Sequence, residues 1–499
     1  MTEQLPRHIR PHPSTHTSIE PMASPIGTAL GLAIATTLAL TGCISQEDTQ
    51  AKTSTSEQSS GSKELSPAGV KVEKIVDGKT LLAAQSTKYP LGEGYIRYAG
   101  DAVETFALPD GRVVTMQSDT RSFRKMSASA QSEKVDLHHN AAACYDPTTG
   151  TMTSLNKVTS GGLTRDFLPR TVSPDEIASY VERRRAQFKQ TESPPSDTVI
   201  DSFIQKSLKP STNGKTGYSR NSYEWFASGF TATKGSNKIY AFSLIMEKIP
   251  GTKDPGWAFK VTGSKLHIIN PGTSGCNDFT VEKNIDLPSV KEGSNGIMWG
   301  ASSVYDDKTG YMYILGNQAA KDPYAGHNYF GARTTEDTIA DPTKWEYWNG
   351  KKFAKDVPRT KLEPILPSDA LAKDAVDLTF DPNSGKEGEF ILTYKSIWLE
   401  NGKSVVFEQR GKTVVEALKN MEYKKIAEGL PADFDGKADG YFAYLPTLHV
   451  IPDGEDWATF NTVSVNNFEP DALADYGTHT FEGAKALSPV SNTHAATDK

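Results

Sequence analysis

Two aspartates at one hairpin have the residue type and spacing for acid–base chemistry. Asp101 stands just before the first strand of segment 105–119, and Asp119 ends its second strand. The turn lies at Asp110-Gly111, so an antiparallel hairpin returns both carboxylates to the opposite end. Burial and mutual repulsion push the pKa values of such a pair apart, which gives an acid and a base. The sequence equally allows both aspartates to cap turns through local backbone hydrogen bonds.

Other candidate residues lie in later hairpins. Glu224 begins the second hairpin and is a reserve carboxylate, and Trp225 and Trp299 are candidate sugar-stacking platforms or core residues. His449 lies among apolar neighbours in the fifth hairpin, which is typical of a structural histidine. The sequence contains no helical His pair, Cys cluster, Walker loop or dinucleotide fingerprint, so we expect neither a metal nor a cofactor.

The elements that would position these residues form a repeat. A strand, a Gly/Asp/Asn turn and a strand rich in aromatic and β-branched residues recur in five copies, at 105–119, 225–246, 298–318, 376–396 and 444–464. The second-strand markers are spaced 126, 73, 78 and 68 residues apart at Val114, Tyr240, Tyr313, Ile391 and Thr459. A helical turn followed by an aromatic strand recurs between hairpins, at 335–348, 413–426 and 470–483. The pattern predicts an all-β, five-bladed β-propeller over 71–490, because a pair of β-sandwich domains would not keep five copies in phase.

The long first interval predicts a small helical insertion between blades 1 and 2, at about 165–215. Ser173 fits a helix cap, with Pro174 at the first helical position and Glu176 three residues after the cap. A second amphipathic segment starts at Ser196. The insertion could close over the channel mouth or pack on the outer wall.

The N-terminal region reads as an export signal. An uncharged run at 26–41 follows Arg7 and Arg10 and ends in Gly42-Cys43, so residues 1–42 are a predicted lipoprotein signal peptide with Cys43 lipidated. An ordinary cleaved signal with an incidental cysteine is the alternative. A polar, disordered tether is predicted over 43–70 and a disordered tail over 491–499. We therefore expect an exported protein anchored by lipid to the outer face of the cytoplasmic membrane.

Composition limits the partners. The 499-residue chain carries 54 Lys and Arg against 61 Asp and Glu, which lacks the basic surplus of a nucleic-acid binder. Beyond Cys43 only Cys144 and Cys276 remain; two such cysteines often pair outside the cell, but the sequence leaves this open.

Several segments together resemble a known family. GDAVETFALPDGRVVTMQSDT with a following HHN, MWGASSVYDDKTGYMYILGN, ADPTKWEYWNGKKF and YLPTLHVIPDGEDWATFNTVSVNN occur in this order. They resemble a secreted actinobacterial family of five-bladed propellers, long a domain of unknown function, that includes endo-D-arabinanases. The likeness extends over roughly residues 90–490.

The resemblance implies a glycoside hydrolase that cuts D-arabinan in arabinogalactan or lipoarabinomannan. Asp101 and Asp119 match the acidic positions of the family's first hairpin, Asn140 matches the following Asn, and His449 matches a His. Asn140 and His449 are thereby implied substrate-binding residues. Two positions depart from the family pattern: Val450 replaces a usual Pro, and Ser228 stands where an acidic residue is expected.

The leading interpretation is an envelope-anchored monomer that hydrolyses furanosidic linkages in cell-wall arabinan. The rivals are a non-catalytic propeller that binds wall polysaccharide and a propeller that serves as a protein-interaction scaffold.

Overall fold

The computed structural model describes most of the chain between residues 64 and 481. The described residues are 64–72, 75, 80–81, 84–90, 93–159, 164–170, 181–182, 184–186, 188–189, 194–208, 222–232, 234–248, 259–273, 275–288, 296–319, 326–358, 361–367, 373–400, 403–420, 422–430, 441–467 and 477–481. The predicted signal peptide, Cys43 and the predicted tail lie outside these residues.

Antiparallel sheets make up most of the described chain. β1 (Glu64–Leu65) pairs with β8 (Val158–Thr159) in a small sheet. The first large sheet has the order β2-β7-β6-β5-β4-β3. Its strands are β2 (Val70–Lys71), β3 (Ser86–Lys88), β4 (Tyr95–Ala107), β5 (Val113–Lys125), β6 (Lys134–Asp146) and β7 (Thr151–Ser154). The end of the predicted tether is thus part of two sheets, since backbone pairing at a sheet edge does not require apolar side chains.

Four further sheets follow along the chain. The second sheet contains β9 (Ser222–Thr231), β10 (Ile239–Lys248), β11 (Phe259–Asn270) and β12 (Thr280–Asp286). The third contains β13 (Met298–Asp306), β14 (Tyr311–Ala319), β15 (His327–Thr334), β16 (Glu346–Trp348) and β17 (Phe353–Ala354). The fourth contains β18 (Lys373–Asp381), β19 (Glu389–Glu400), β20 (Lys403–Gly411) and β21 (Tyr423–Leu430). The fifth contains β22 (Tyr441–Asp453), β23 (Asp456–Asn467) and β24 (Gly477–Phe481).

The fold is all-β, as the sequence predicts, and each of the five predicted hairpins is a pair of adjacent antiparallel strands. These pairs are β4–β5, β9–β10, β13–β14, β18–β19 and β22–β23. Two of the three predicted helical turns between hairpins are a 3₁₀ turn at Pro342–Lys344 before β16 and a short helix, here α2 (Val414–Lys419), before β21. The third would precede β24, in residues 470–476, which lie outside the described residues. Thr413 and Glu416 form a capping box at the start of α2.

The first strands of the five hairpins pack side by side in a cyclic order. β4 contacts β9, β9 contacts β13, β13 contacts β18, β18 contacts β22, and β22 returns to β4. The pairing of each first strand with its hairpin partner is interrupted by a register shift. Such shifts change the direction of side chains and increase the local twist of the strand. All five hairpins of the repeat contain one.

Hydrophobic cores lie between neighbouring sheets. One joins Val304 and Tyr313 of the third sheet to Leu392 of the fourth, and another joins Phe242 of the second sheet to Trp299 of the third. Similar clusters join the first sheet to the second and to the fifth. Burial of apolar surface at these interfaces, at about 25 cal/mol per Å², holds the sheets face to face.

Between β8 and β9 the chain forms helix α1 (Asp197–Leu208), within the second predicted helical segment. Ile200 and Ile204 of α1 pack on Phe188, and residues 181–189 are helical wherever they are described. The predicted cap at Ser173 lies outside the described residues. Whether the insertion lies over the channel or on the outer wall stays a prediction. Within the described part of the chain, we find no helix whose length and apolar character would let it span a membrane.

Candidate active site

Asp101 and Asp119 lie on neighbouring strands of the first sheet. Asp101 pairs with Ser118 across β4 and β5, which places Asp119 one residue further along. The expectation that these aspartates stand at the strand ends is wrong, because both strands and their pairing continue beyond them to Tyr95 and Lys125. Both aspartates are buried, at 1% and 2% exposure. The Tyr444 hydroxyl of the fifth sheet donates a hydrogen bond to Asp101 Oδ2, and the Trp225 indole N–H of the second sheet donates to Asp119 Oδ2 at 2.9 Å. Each carboxylate therefore accepts a hydrogen bond from a different neighbouring sheet.

The backbone at this end of the ring is strained. Among the described residues, five non-glycine residues have positive φ, and three of them lie here: Ala102 at 48°, Asp119 at 38° and Leu445 at 49°. Residues with a Cβ rarely adopt this region, so surrounding contacts must hold them there. One such contact is the Ala102 N–H, which donates to the Ser464 hydroxyl at 2.9 Å. Strain of this kind is common at functional sites.

Glu224 of β9 belongs to a buried ion pair. Its Oε2 lies 2.6 Å from His267 Nε2 and accepts a hydrogen bond from the Ser243 hydroxyl at 2.7 Å. The other ring nitrogen, Nδ1, lies 2.6 Å from Asn284 Oδ1, so each ring nitrogen lies beside an oxygen atom. Burial acts to raise the pKa of Glu224, but the charge and hydrogen bond of His267, with the more distant Lys265 and Arg170, lower it to about 2.

Asp166 is a further acid that the sequence analysis did not single out. It accepts a hydrogen bond from the His139 N–H at 2.9 Å. Burial raises the pKa of Asp166 to about 7; the His139 and Asn140 N–H groups oppose this, and the Glu224 charge adds to it. Asp166 and Glu224 are thus electrostatically coupled, with pKa values pushed far apart. No hairpin or motif marks Asp166, so its role becomes visible only once β6 and segment 164–170 are in place.

Asn140 joins three parts of the wall. Its amide nitrogen donates to the Leu168 carbonyl at 3.0 Å and the Glu224 carbonyl at 2.8 Å, and its oxygen accepts from the Leu168 N–H at 2.6 Å. Next to it, the His139 ring stacks on Tyr223 with centroids 3.7 Å apart. Asn140 therefore fixes β6 against β9 and segment 164–170; its implied contact with substrate stays a prediction.

The two tryptophans differ in their surroundings, although both are about 1% exposed. Trp299 packs in the core between the second and third sheets. Trp225 packs against Tyr223 and donates its indole N–H to Asp119. In this structure the two rings pack and hydrogen-bond, so their predicted stacking on a sugar would require them to be uncovered.

His449 lies in the wall between the first and fifth sheets. Its ring nitrogens contact the Thr105 hydroxyl at 3.2 Å and the Thr462 hydroxyl at 2.7 Å, and the ring stacks on Phe460. Burial lowers the pKa of His449 to about 3, so the ring is neutral at physiological pH. These contacts are those of a buried structural histidine.

Cys144 and Cys276 form a disulfide between the first and second sheets. Both lie in the apolar cluster that joins these sheets. Nearby, the Arg112 guanidinium donates to the Pro271 and Gly272 carbonyls, at 2.7 Å and 3.0 Å, and pairs with Asp110. The disulfide and the Arg112 hydrogen bonds thus join the first sheet to the segment between β11 and β12 of the second sheet, which also contains Glu224 and Trp225.

Chemically, the site offers several buried carboxylates held by directed donors, with one histidine ring beside Glu224. Donors such as Tyr O–H and Trp N–H favour an ionised carboxylate, whereas burial favours the protonated form. In the described part of the chain there is no group of three or more His, Cys, Asp or Glu side chains that could hold a metal ion. The arrangement suits proton transfer and nucleophilic attack by carboxylates.

The fold and site define an all-β protein of repeated antiparallel sheets with buried acids where the first two sheets meet. The chain belongs to the family described as a domain of unknown function, DUF5005, whose model matches residues 94–364. Comparison with proteins of curated function gives no match.

Three solved structures illustrate the likeness in shape. A Bacteroides ovatus protein proposed to be a hydrolase is 13% identical, with 87% of this chain and 97% of that chain covered and a TM-score of 0.49. An exo-1,5-α-L-arabinanase from a bovine ruminal metagenomic library is 11% identical, with 78% and 96% covered and a TM-score of 0.31. The α-L-arabinofuranosidase of Podospora anserina is 8% identical, with 84% and 95% covered and a TM-score of 0.33. These scores are all below 0.5 and carry no argument about activity.

Proposed function

We propose that the five sheets are the blades of a five-bladed β-propeller and that the aspartate end of its central channel is a glycosidase site. The cyclic contacts of β4, β9, β13, β18 and β22 support the blade count. A propeller closes its ring through blade packing, so the innermost strands need not form one continuous sheet.

The proposed reaction is hydrolysis of furanosidic linkages in cell-wall arabinan. The observation that carries it is that Asp101 and Asp119 lie close together on the paired strands β4 and β5, each held by a side-chain donor from a neighbouring sheet. Glycosidases use two carboxyl groups on either side of the scissile bond, one as acid and one as base or nucleophile. The arabinan specificity rests on the resemblance of the hairpin segments to endo-D-arabinanases.

Asp101 and Asp119 would divide the acid and the base or nucleophile roles, with Glu224 as the third carboxylate. The low pKa of Glu224 keeps it ionised at every physiological pH, so it would act through its charge rather than as a proton donor. Asp166 would extend this acidic environment, because burial raises its pKa to about 7 and the Glu224 charge adds to that rise.

The proposed location is the outer face of the cytoplasmic membrane, with a lipid on Cys43. A polar run of about 20 residues after Cys43 would give the propeller reach into the wall polysaccharide. Cys43→Ser is expected to move the protein from the membrane fraction to the soluble fraction when expressed in a lipoprotein-processing bacterium. Unchanged membrane retention of this variant would reject the anchor.

The test of the reaction uses the purified protein with arabinogalactan and lipoarabinomannan as substrates, and chromatography of released oligosaccharides as readout. The wild type should release arabino-oligosaccharides, and Asp101→Asn and Asp119→Asn should each reduce the rate at least ~10³-fold. Asp201→Asn on α1, where the aspartate pairs with Arg185 at the surface, is the matched control and should retain full activity. Equal rates for all four proteins would reject the assignment.

The rival function is non-catalytic binding of wall polysaccharide. The burial of both aspartates, at 1% and 2% exposure, is the observation that favours it. A wild type that is retained by immobilised arabinan but releases no oligosaccharide would establish the rival.

A further inference from the structure

A cavity of about 520 Å³ lies on the other half of the same ring. Residues from all five first strands line it, including Glu104 of β4, Gly229 of β9, Ser303 of β13, Asp377 of β18 and Leu448 of β22. It extends toward the hairpin turns, away from Asp101 and Asp119. Its volume is that of a small-molecule site, which is commonly ~300–1,000 Å³.

The charged groups of this cavity have one sign. Glu104, Asp377 and Asp307 line it, and no lysine or arginine does so among the described residues. His449, which contacts the lining residue Thr105, is neutral because burial lowers its pKa to about 3. The cavity is therefore electrostatically matched to a cation.

Two of these acids, Glu104 and Asp377, lie on strands that are not neighbours in the ring, β4 and β18. Glu104 Oε2 accepts a hydrogen bond from the Gly229 N–H at 2.9 Å, and Asp377 Oδ2 accepts from the Leu448 N–H at 2.9 Å. Burial, and then the charge of Asp377, hold the pKa of Glu104 well above its usual range. Burial raises the pKa of Asp377 to about 6, although the Leu448 and Thr379 donors oppose this. A positive charge between the two carboxylates would relieve both the repulsion and the burial cost.

The remaining wall is rich in aromatic and apolar groups. Phe106, Phe230, Tyr305, Phe380 and Trp457 all line the cavity. Aromatic faces attract organic cations and also cover the apolar body that carries the charge. A bare metal ion would leave most of this volume and apolar surface unused.

We propose that this cavity binds a small organic cation, a protonated amine on an apolar or ring-shaped body, with Glu104 and Asp377 as its counter-ions. The site is separate from the proposed arabinan site, and it requires no catalytic step.

The experiment measures binding of benzylamine to the whole purified protein by isothermal calorimetry at pH 8, with benzyl alcohol as the neutral probe of matched shape. Benzylamine should bind at least tenfold more tightly than benzyl alcohol. Its affinity should fall more than tenfold between pH 8 and pH 5, because Asp377, whose pKa is raised to about 6, becomes protonated while benzylamine stays charged.

Glu104→Gln and Asp377→Asn should each weaken benzylamine binding about tenfold and leave benzyl alcohol binding unchanged. Both amides keep an oxygen that can accept the Gly229 or Leu448 N–H, so the fold should persist. Glu387→Gln is the matched control, because this glutamate is exposed and pairs with Lys308. Equal affinity for the two probes, or unchanged benzylamine binding in both variants, would overturn the proposal. Displacement of benzylamine by micromolar Ca²⁺ would also overturn it and assign the cavity to a metal ion.

Discussion

The two ends of the ring both contain buried acids, but they treat them in opposite ways. At the aspartate end, Asp101, Asp119 and Glu224 each have a directed partner from another strand, namely Tyr444, Trp225 and His267. At the cavity end, Glu104 and Asp377 have backbone N–H donors but no cationic partner among the residues that line the cavity.

This difference shows that burial alone does not decide the state of a carboxylate. Glu224 is more buried than Asp377, at 1% against 8% exposure, yet the pKa of Glu224 is lowered to about 2, whereas that of Asp377 is raised to about 6. The direction of the pKa shift depends on whether a cation or only a neutral hydrogen-bond donor compensates the carboxylate for its lost hydration. Removing the partner of a carboxylate at the aspartate end should therefore lower the stability of the fold. Replacing a carboxylate by an amide at the cavity end should raise it.

The largest effect is expected from breaking the ion pair at the aspartate end. His267→Gln should lower the free energy of unfolding by about 3–5 kcal/mol, because Glu224 keeps a buried charge without its cation. The measurement is urea-induced unfolding at pH 7. The matched control is His449→Gln, which removes a neutral buried histidine and should cost clearly less. Equal costs for the two variants would contradict the ion pair.

The pairing of Glu224 with His267 also predicts how stability depends on pH. The folded-state pKa of Glu224, about 2, lies below its unfolded value of about 4.3. Its contribution to the free energy of unfolding is therefore fully present at pH values above about 4.3. It should be lost as the pH falls from about 4.3 toward 2. The acid limb of the wild-type stability curve should therefore be steeper than that of Glu224→Gln, as followed by unfolding at a series of pH values.

An intermediate effect is expected from removing one hydroxyl. Tyr444→Phe should cost about 1.5–3 kcal/mol, the range for a hydrogen bond to a charged group. Tyr347→Phe is the matched control, because its hydroxyl donates to the neutral Pro342 carbonyl at 2.9 Å and should cost about 0.5–1.5 kcal/mol. Thermal and urea unfolding of both variants measure the difference. A Tyr444→Phe variant no less stable than Tyr347→Phe would indicate an uncharged Asp101.

The smallest effect, and one of opposite sign, is expected at the cavity end. Asp377→Asn should raise the free energy of unfolding by about 1–2 kcal/mol at pH 8, because it removes a carboxylate that is ionised against its surroundings. The folded pKa of about 6 exceeds the unfolded value of about 3.9, so the gain should shrink toward zero near pH 4. Asp381→Asn on the same strand is the control, because Asp381 accepts the Asn383 N–H in a turn and should show no such gain. A loss of stability at pH 8 in Asp377→Asn would contradict the comparison.

The sequence predicted the parts of the fold that depend on local signals. Turn residues such as Asp110-Gly111 and alternating strands located all five hairpins, because these signals lie within about 20 residues of one another. The placement of Asp101 beside Asp119 followed from the same hairpin geometry. The capping box at Thr413 was equally local.

The parts that the sequence could not predict depend on contacts between sheets. Tyr444 meets Asp101 across 343 residues, and His267 and Asp166 become partners of Glu224 only after three segments pack together. The Cys144–Cys276 pairing was open for the same reason, since it depends on the approach of two sheets. The acids of the cavity end were missed because Glu104 and Asp377 lie in separate sheets with no shared motif.

The most direct test of the proposed site is a crystal structure of the Asp119→Asn variant soaked with an arabino-oligosaccharide. We expect a sugar ring within hydrogen-bond distance of Asp101 and position 119, with the scissile oxygen between them. Well-ordered sugar bound only elsewhere on the protein, with Asp101 and the substituted side chain at position 119 still covered, would contradict it.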